Sequence, residues 1–336
     1  MKYAAIDLHG NNSVVVVTDE GDRVLVQRRV GNDLAQVMAV LDPYREGLVV
    51  AVEATFNWYW LVDGLSLHGY VVRLVHTAAM TPYQGLKHGD DHSDARHLAH
   101  LLRLGVLPCA YVYPKQQRAV RDLGRHRMRL VRARTAMILA TENVLARETG
   151  VSCSGNQVKQ MGPDDLQALG LLADVQLAVQ ANLTLVADLN VQIHALEKRL
   201  HEAVRLQPAY QQLDTVPGIG EVLATVIMLE TGDIARFEAV GRYASYARCV
   251  DSVHLSNGKK KGQGNTKSGN AYLAWAFVEA AQYARRFCPQ AKRFYERKRA
   301  QVNTALATKA LAHKLARACY HMMKRGEPFD AARCFG

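Results

Sequence analysis

The sequence has no Cys-x-x-Cys pair. Its six cysteines, Cys109, Cys153, Cys249, Cys288, Cys319 and Cys334, are scattered along the chain. That spacing argues against a disulfide frame and against a zinc site, and reads as reduced thiols, mostly core filler. No stretch approaches the roughly 18 uncharged apolar residues of a membrane span. Met1-Lys2-Tyr3 runs straight into a strand-like segment, so neither a membrane helix nor a secretory leader is expected, and the compartment reads as cytoplasmic. There is no Gly-x-x-x-x-Gly-Lys-Ser/Thr phosphate loop, no internal repeat and no low-complexity tract. Acids are scarce: 31 Asp+Glu stand against 42 Lys+Arg, a net charge of +11. Polyanions are the natural partner of such an excess, although charge alone is equally consistent with a merely basic surface.

At 336 residues the chain is long enough for two cored domains, and 49% apolar with 22% charged residues is an ordinary globular composition. Residues 2–8 read as a buried strand ending near Asp7, and 14–18 and 23–30 continue as strands about the turn Asp19-Glu20-Gly21-Asp22. A helix over 33–41, a strand over 48–53 ending at Glu53, a helix over 58–67 and a strand over 70–74 follow. Three early strands and then alternating helices and strands predict an α/β sheet in the order of an RNase H-like fold.

Residues 92–104 are helical in pattern, and after Pro114 a second helix is expected to about residue 148. Along it Arg118, Arg121, Arg125, Arg129 and Arg132 recur at three- and four-residue spacing, on one stripe. Residues 115–134 hold eight Lys/Arg and a single acid, Asp122. A solvated helix face mixes signs, so this stripe reads as a nucleic-acid contact, with binding that weakens steeply in salt. Residues 150–165 read as a linker. Leu172, Val175, Val179, Val186, Leu189, Ile193, Leu196 and Leu200 then occupy a and d heptad positions, with Asn182 and Ala203 in register. They predict a coiled coil between subunits, the alternative being a long helix packed on its own domain. The expected domains are 1–150, 151–208 and a mostly helical 209–336. Residues 285–325 carry twelve Lys/Arg against Glu296 alone, a second basic surface.

The last domain opens at Val216-Pro217-Gly218-Ile219-Gly220, a helix-hairpin-helix-like turn at which backbone N–H groups could meet an anion. Downstream, Ser252-Val253-His254-Leu255-Ser256-Asn257-Gly258-Lys259-Lys260-Lys261 is basic and ends at Thr266-Lys267-Ser268-Gly269-Asn270. Lys259, Lys260, Lys261 and Lys267 suit a phosphodiester. Ser256 reads as a loop hydroxyl facing that charge, with Ser252 as its competitor. Four acids complete the picture: Asp7 and Glu53 end strands, and Asp91 and Asp94 share one helix face. Gathered together they would repel by about 4 kcal/mol per close pair at an effective dielectric near 20. Such a cluster needs protonation or divalent cations, and magnesium suits oxygen ligands and phosphate substrates. Singly, the same acids read as strand-end and helix-cap residues.

Ile6-Asp7, Val52-Glu53-Ala54-Thr55, Asp91-His92-Ser93-Asp94-Ala95, the Val216–Gly220 motif, Gly232-Asp233, Arg236-Phe237, Ser256 beside its basic loop, Thr266-Lys267-Ser268-Gly269-Asn270 and Pro328-Phe329-Asp330-Ala331 occur in this order. With them the chain resembles, nearly end to end, the DEDD transposases of insertion-sequence family 110. The resemblance implies a RuvC-like N-terminal domain in which Asp7, Glu53, Asp91 and Asp94 bind Mg2+ or Mn2+, a coiled coil, and a C-terminal domain whose nucleophile is Ser256. It implies a recombinase that excises and inserts its own element. Donor and target DNA would be paired by an element-encoded bridge RNA. The enzyme would be a homodimer or homotetramer, without a membrane, in the nucleoid-associated cytoplasm of a bacterium. Two departures stand out. Gly89-Asp90 replaces a frequent Lys-Thr, leaving Asp90 as a competitor of Asp91, and Asp251 stands where proline is usual. The rival readings are a RuvC-like junction nuclease that hydrolyses with metals and forms no covalent intermediate, and a non-catalytic nucleic-acid-binding protein.

Overall fold

Residues Ala4 to Leu8 of β1 (Lys2–Leu8) are all buried, the pattern of a central strand covered on both faces. β2 (Asn12–Thr18) pairs antiparallel with β1, and β3 (Val24–Gly31) antiparallel with β2. On the other edge β4 (Leu48–Glu53) runs parallel to β1, and β5 (Val71–Val75) parallel to β4, giving the order β3-β2-β1-β4-β5. The computed structural model describes residues 1–80, 91–250, 253–257, 259–263 and 268–336, with backbone alone at 91–92, 253–256 and 260–263. Asp90, Ser252 and Lys267 lie outside the described residues. The chain divides into two compact units, Met1–Lys115 and Gln116–Gly336.

In the first unit, side-chain alternation assigns the two faces of the sheet. Ala4, Ile6, Leu8, Val50 and Val52 pack with Val37 and Leu41 of α1 (Leu34–Leu41) and Leu61 and Leu65 of α2 (Tyr59–Leu67). Asp33 starts α1, its carboxylate accepting from the Gln36 backbone N–H at 2.9 Å. Ala5, Ala51 and Val75 face the other way and pack with Leu98, Ala99 and Leu101 of α3 (Asp91–Arg103). Each fully buried Leu or Ile here contributes about 1.5–3 kcal/mol.

The second unit starts with two long helices, α4 (Lys115–Thr149) and α7 (Ala173–Val204). Between them the stretch expected to be a linker forms two short helices, α5 (Gly155–Gln160) and α6 (Pro163–Ala168). The reason is local: Ser154 and Gln157 close a capping box on α5, and Val158 and Leu166 bury themselves against the long helices. Arg127 donates to Glu197 at 2.9 Å, and Arg134, one heptad on, donates to Asn190, one heptad back, at 2.6 Å. α4 and α7 are therefore antiparallel partners. Ile138 and Leu145 of α4 share a buried cluster with Val179, Leu183 and Val186 of α7. Of the eight apolar heptad positions, Val179, Val186, Ile193 and Leu200 are buried and Leu172 is 76% exposed; around Val179 and Val186 it is α4 of the same chain that packs against α7.

The remaining helices are α8 (Pro208–Asp214), α9 (Glu221–Thr231), α10 (Val240–Tyr246), α11 (Ala271–Phe287), α12 (Pro289–Arg299), α13 (Thr304–Arg325) and α14 (Ala331–Phe335). Their core centres on Tyr243 and Phe277, both fully buried. The Tyr243 hydroxyl meets Thr231 Oγ1 at 3.0 Å, and Tyr320 donates to the Phe237 carbonyl at 3.0 Å. The Gly-Ile-Gly turn joins α8 to α9. Gly218 has φ +95°, and a Cβ there would lie 2.4 Å from the Ala284 backbone nitrogen. Close packing on α11 thus requires this glycine, and no anion is needed to explain it.

Candidate active site and nucleic-acid interface

The candidate acids of the sheet collect at one end of it. Register pairs Ile6 of β1 with Val52 of β4, so Asp7 and Glu53 follow on the next rung of neighbouring parallel strands. Asp7 lies two residues beyond Ala5 and Glu53 two beyond Ala51, which puts both on the face that α3 covers. Asp7 is only 4% exposed, with His9 Nε2 at 3.3 Å from Oδ2. Asp94 is half-buried on α3, one turn before Leu98, and the adjacent Ala95 seats that helix on Val14 and Val16. Asp91 is the first residue of α3, three positions earlier. The donor set is all carboxylate, the chemistry that suits a hard divalent cation. Among the described residues, no group of three or more His, Cys, Asp or Glu is gathered closely enough to hold a metal.

In the second unit the serine segment is a β-hairpin, where the sequence suggested a loop. β6 (Val253–Ser256) and β7 (Lys259–Gln263) pair antiparallel, with Val253 opposite Gln263 and Ser256 opposite Lys259. Asn257 has φ +52°, the left-handed conformation that Asn-Gly favours in a tight hairpin turn. Ser256 is thus the last residue of its strand, paired with the first lysine of the run. Lys259 is exposed, and Lys260 and Lys261 continue along β7.

The arginine stripe of α4 divides along its length. Arg118 and Arg121 are 3% and 7% exposed. Arg125 forms a two-pronged ion pair with Glu230 of α9, its Nε donating to Oε1 at 2.6 Å and its Nη2 to Oε2 at 2.7 Å. Its guanidinium also lies 4.7 Å above the Tyr272 ring. Burial works against the Arg125 charge, but the hydrogen bonds and charge of Glu230 outweigh it and hold the group above its ordinary pKa. Arg129 and Arg132 are exposed, so the solvent-facing part of the stripe is its C-terminal half.

Glu230 and Asn270 were not singled out as site residues from sequence. Glu230 could have been: it is a lone acid within the apolar run of α9 and is 2% exposed, a placement that demands a buried partner. The cysteines offer no rival nucleophile in the core. Burial pushes the Cys249 thiol up to about 12 and the Cys319 thiol higher still, so neither forms thiolate at neutral pH.

Acids at adjacent strand ends and a serine paired with a lysine thus lie on a chain of net charge +11. The class is fixed by comparison: the chain is a transposase, an enzyme of DNA recombination. A family model of IS110 DEDD transposases, described as "Transposase", matches residues 4–148. A second, described as "Transposase IS116/IS110/IS902 family", matches residues 210–296. The chain belongs to the IS110 family of transposases. It is 27% identical to a "Probable family 20 transposase" of Pseudomonas aeruginosa over 71% of this chain and 72% of that one. It is 23% identical to the transposase for insertion sequence element IS1328 of Yersinia enterocolitica over 97% of each chain. The transposase for IS1111A of Coxiella burnetii is also 23% identical, over 84% of this chain and 77% of its own. No helix among the described residues is long and apolar enough to cross a membrane.

Proposed function

We propose that the protein recombines its insertion element by covalent serine chemistry, with Ser256 as the nucleophile. The observation that carries this reading is the hairpin: its backbone pairs Ser256 with Lys259 at the head of a lysine run, a phosphate-binding setting for a hydroxyl. Ser256 Oγ attacks a DNA phosphorus, the phosphorus–O3′ bond breaks, and the leaving oxygen takes a proton to become a free 3′-hydroxyl. The serine proton passes to a base. The product is a phosphoserine diester, so a 3′-hydroxyl from another strand can attack it, reseal the DNA and release the serine without ATP.

Asp7, Glu53, Asp91 and Asp94 are proposed to hold divalent metal, Mg2+ or Mn2+, in a RuvC-like domain. The strand order β3-β2-β1-β4-β5 and the adjacent rungs of Asp7 and Glu53 support that assignment. The metal, when bound, supplies Lewis-acid stabilisation of phosphate charge. Arg129, Arg132, Lys259, Lys260, Lys261 and Lys267 are proposed to neutralise nucleic-acid phosphates, with Arg118, Arg121 and Arg125 supporting α4 from within. A bridge RNA pairing donor and target DNA, a dimeric or tetrameric assembly and a nucleoid-associated cytoplasmic location complete the proposal.

The test is Ser256→Ala. It is expected to abolish strand cleavage while leaving DNA and RNA binding within about twofold, since it removes one hydroxyl and no charge. Retained cleavage would transfer the role to Ser252 or to hydrolysis by water, the junction-nuclease reading.

A further inference from the structure

We propose that Asn270 and Glu230 are positioning residues for Ser256: together they lock the two feet of the β6–β7 hairpin onto the helical scaffold. The inference rests on the reading of Ser256 as the nucleophile. A two-stranded hairpin is marginal by itself, so what fixes this one is where its ends are tied.

The flanks of the hairpin segment, Tyr246–Arg248 before it and Gly269–Asn270 after it, meet at one point. The Asn270 backbone N–H donates to the Tyr246 carbonyl at 2.6 Å, joining the end of the segment to the end of α10 before it. Arg248 Nη2 reaches across to the Gly269 carbonyl at 3.0 Å. Gly269 has φ +88°, and a Cβ there would lie 2.6 Å from the Tyr246 carbonyl oxygen, so the feet touch backbone to backbone. The Asn270 side chain then does two jobs at once. Its Oδ1 accepts from the Tyr272 and Leu273 N–H groups at 2.9 and 3.1 Å, capping α11. That orientation turns Nδ2 toward Glu230 Oε2 at 2.7 Å and the Tyr246 hydroxyl at 3.3 Å.

Glu230 is held in turn by both prongs of Arg125. Glu230 of α9 thus joins Asn270 to α4, and Asn270 itself bonds Tyr246 at the end of α10 and caps α11. Asn270 and Glu230 are 6% and 2% exposed, so the hydrogen bond between them is largely shielded from solvent. A cap for α11 requires only a short acceptor. The amide donor toward Glu230 is the surplus that a positioning role explains.

Asn270→Ser separates the two jobs, keeping a capping hydroxyl and deleting the donor. The expected result is a fall of about 10- to 100-fold in single-turnover strand cleavage, because a displacement near 1 Å at a reacting group has that effect. DNA affinity and the thermal midpoint should stay close to wild type, and backbone amides of β6 and β7 should exchange faster with deuterium. Wild-type cleavage in folded Asn270→Ser overturns the proposal. If Asn270→Ser does not fold, Asn270→Asp keeps the cap and places a second carboxylate against Glu230. Its cleavage relative to wild type should rise as the pH is lowered and the two acids share a proton; a pH-independent ratio overturns the proposal. Cleavage by Ser256→Ala protein would instead overturn the nucleophile assignment. Hairpin exchange in Asn270→Ser would still report on the clamp, with unchanged exchange counting against it.

Discussion

Asp7 and Glu230 are both buried carboxylates, and their surroundings could hardly differ more. Glu230 accepts from a guanidinium on both oxygens and from an amide, so its charge is answered from two directions. Asp7 sits at a strand end with an imidazole at 3.3 Å and Glu53 on the next parallel rung. A buried carboxylate matched by a cation and an amide is part of what holds the helices of the second unit together. In the metal site proposed above, a carboxylate set beside another would be retained for its chemistry and against stability.

That contrast can be broken by mutation. The largest effect expected is on activity: Asp7→Asn should lower metal-dependent cleavage by more than about 100-fold while leaving the thermal midpoint unchanged or raised, because a repulsive charge is removed. A several-degree fall in midpoint would place Asp7 with Glu230 instead. Next comes Glu230→Ala, which removes the carboxylate that both prongs of the partly exposed Arg125 and the Asn270 amide bond, and should destabilise the second unit by about 1.5–3 kcal/mol, read from the denaturant midpoint. An unchanged midpoint would remove the distinction. Gly218→Ala should destabilise by about 2–4 kcal/mol through left-handed strain and collision with α11, with no change in the salt dependence of binding to any folded fraction. A change confined to binding would restore the anion reading of that turn.

The smallest effect is on pH dependence. Burial, reinforced by Arg317, holds His313 below the ordinary 6.5, and burial with Arg325 and Arg317 does the same to His321. Both imidazoles therefore bind protons more weakly folded than unfolded. Their contribution is fully present above pH 6.5 and is lost as pH falls toward the folded values. Thermal midpoints measured from pH 7.5 to 5 should drop less steeply in a His313→Gln, His321→Gln double variant than in wild type. An identical slope would show that neither imidazole contributes.

The same two regions explain what could be read from the sequence. The sheet was legible because its signals are local: β1 and β4 fall at residues 2–8 and 48–53 as their apolar runs dictate, and both candidate acids end those runs. In the helical unit the decisive pairs are remote. Arg125 and Glu230 are 105 residues apart, and helical spacing alone made Arg125 look like one cation in a solvent-facing row. Half of the heptad positions read on α7, Val179, Val186, Ile193 and Leu200, are buried while Leu172 is 76% exposed, because periodicity states that a seam needs covering and not which chain covers it. The hairpin was missed because Gly and Lys are poor strand formers; pairing across Asn257-Gly258 overrides that preference.

The proposed reaction stands or falls on covalent attack by Ser256. The direct measurement is to denature the protein during reaction with a DNA whose cleaved strand cannot be rejoined, digest the protein, and locate any nucleotide-bearing peptide by mass spectrometry. The account predicts a DNA 5′-phosphate on the peptide containing Ser256, lost in Ser256→Ala. Cleaved DNA with free 5′-phosphate ends and no adduct, or an adduct on another residue, would contradict it.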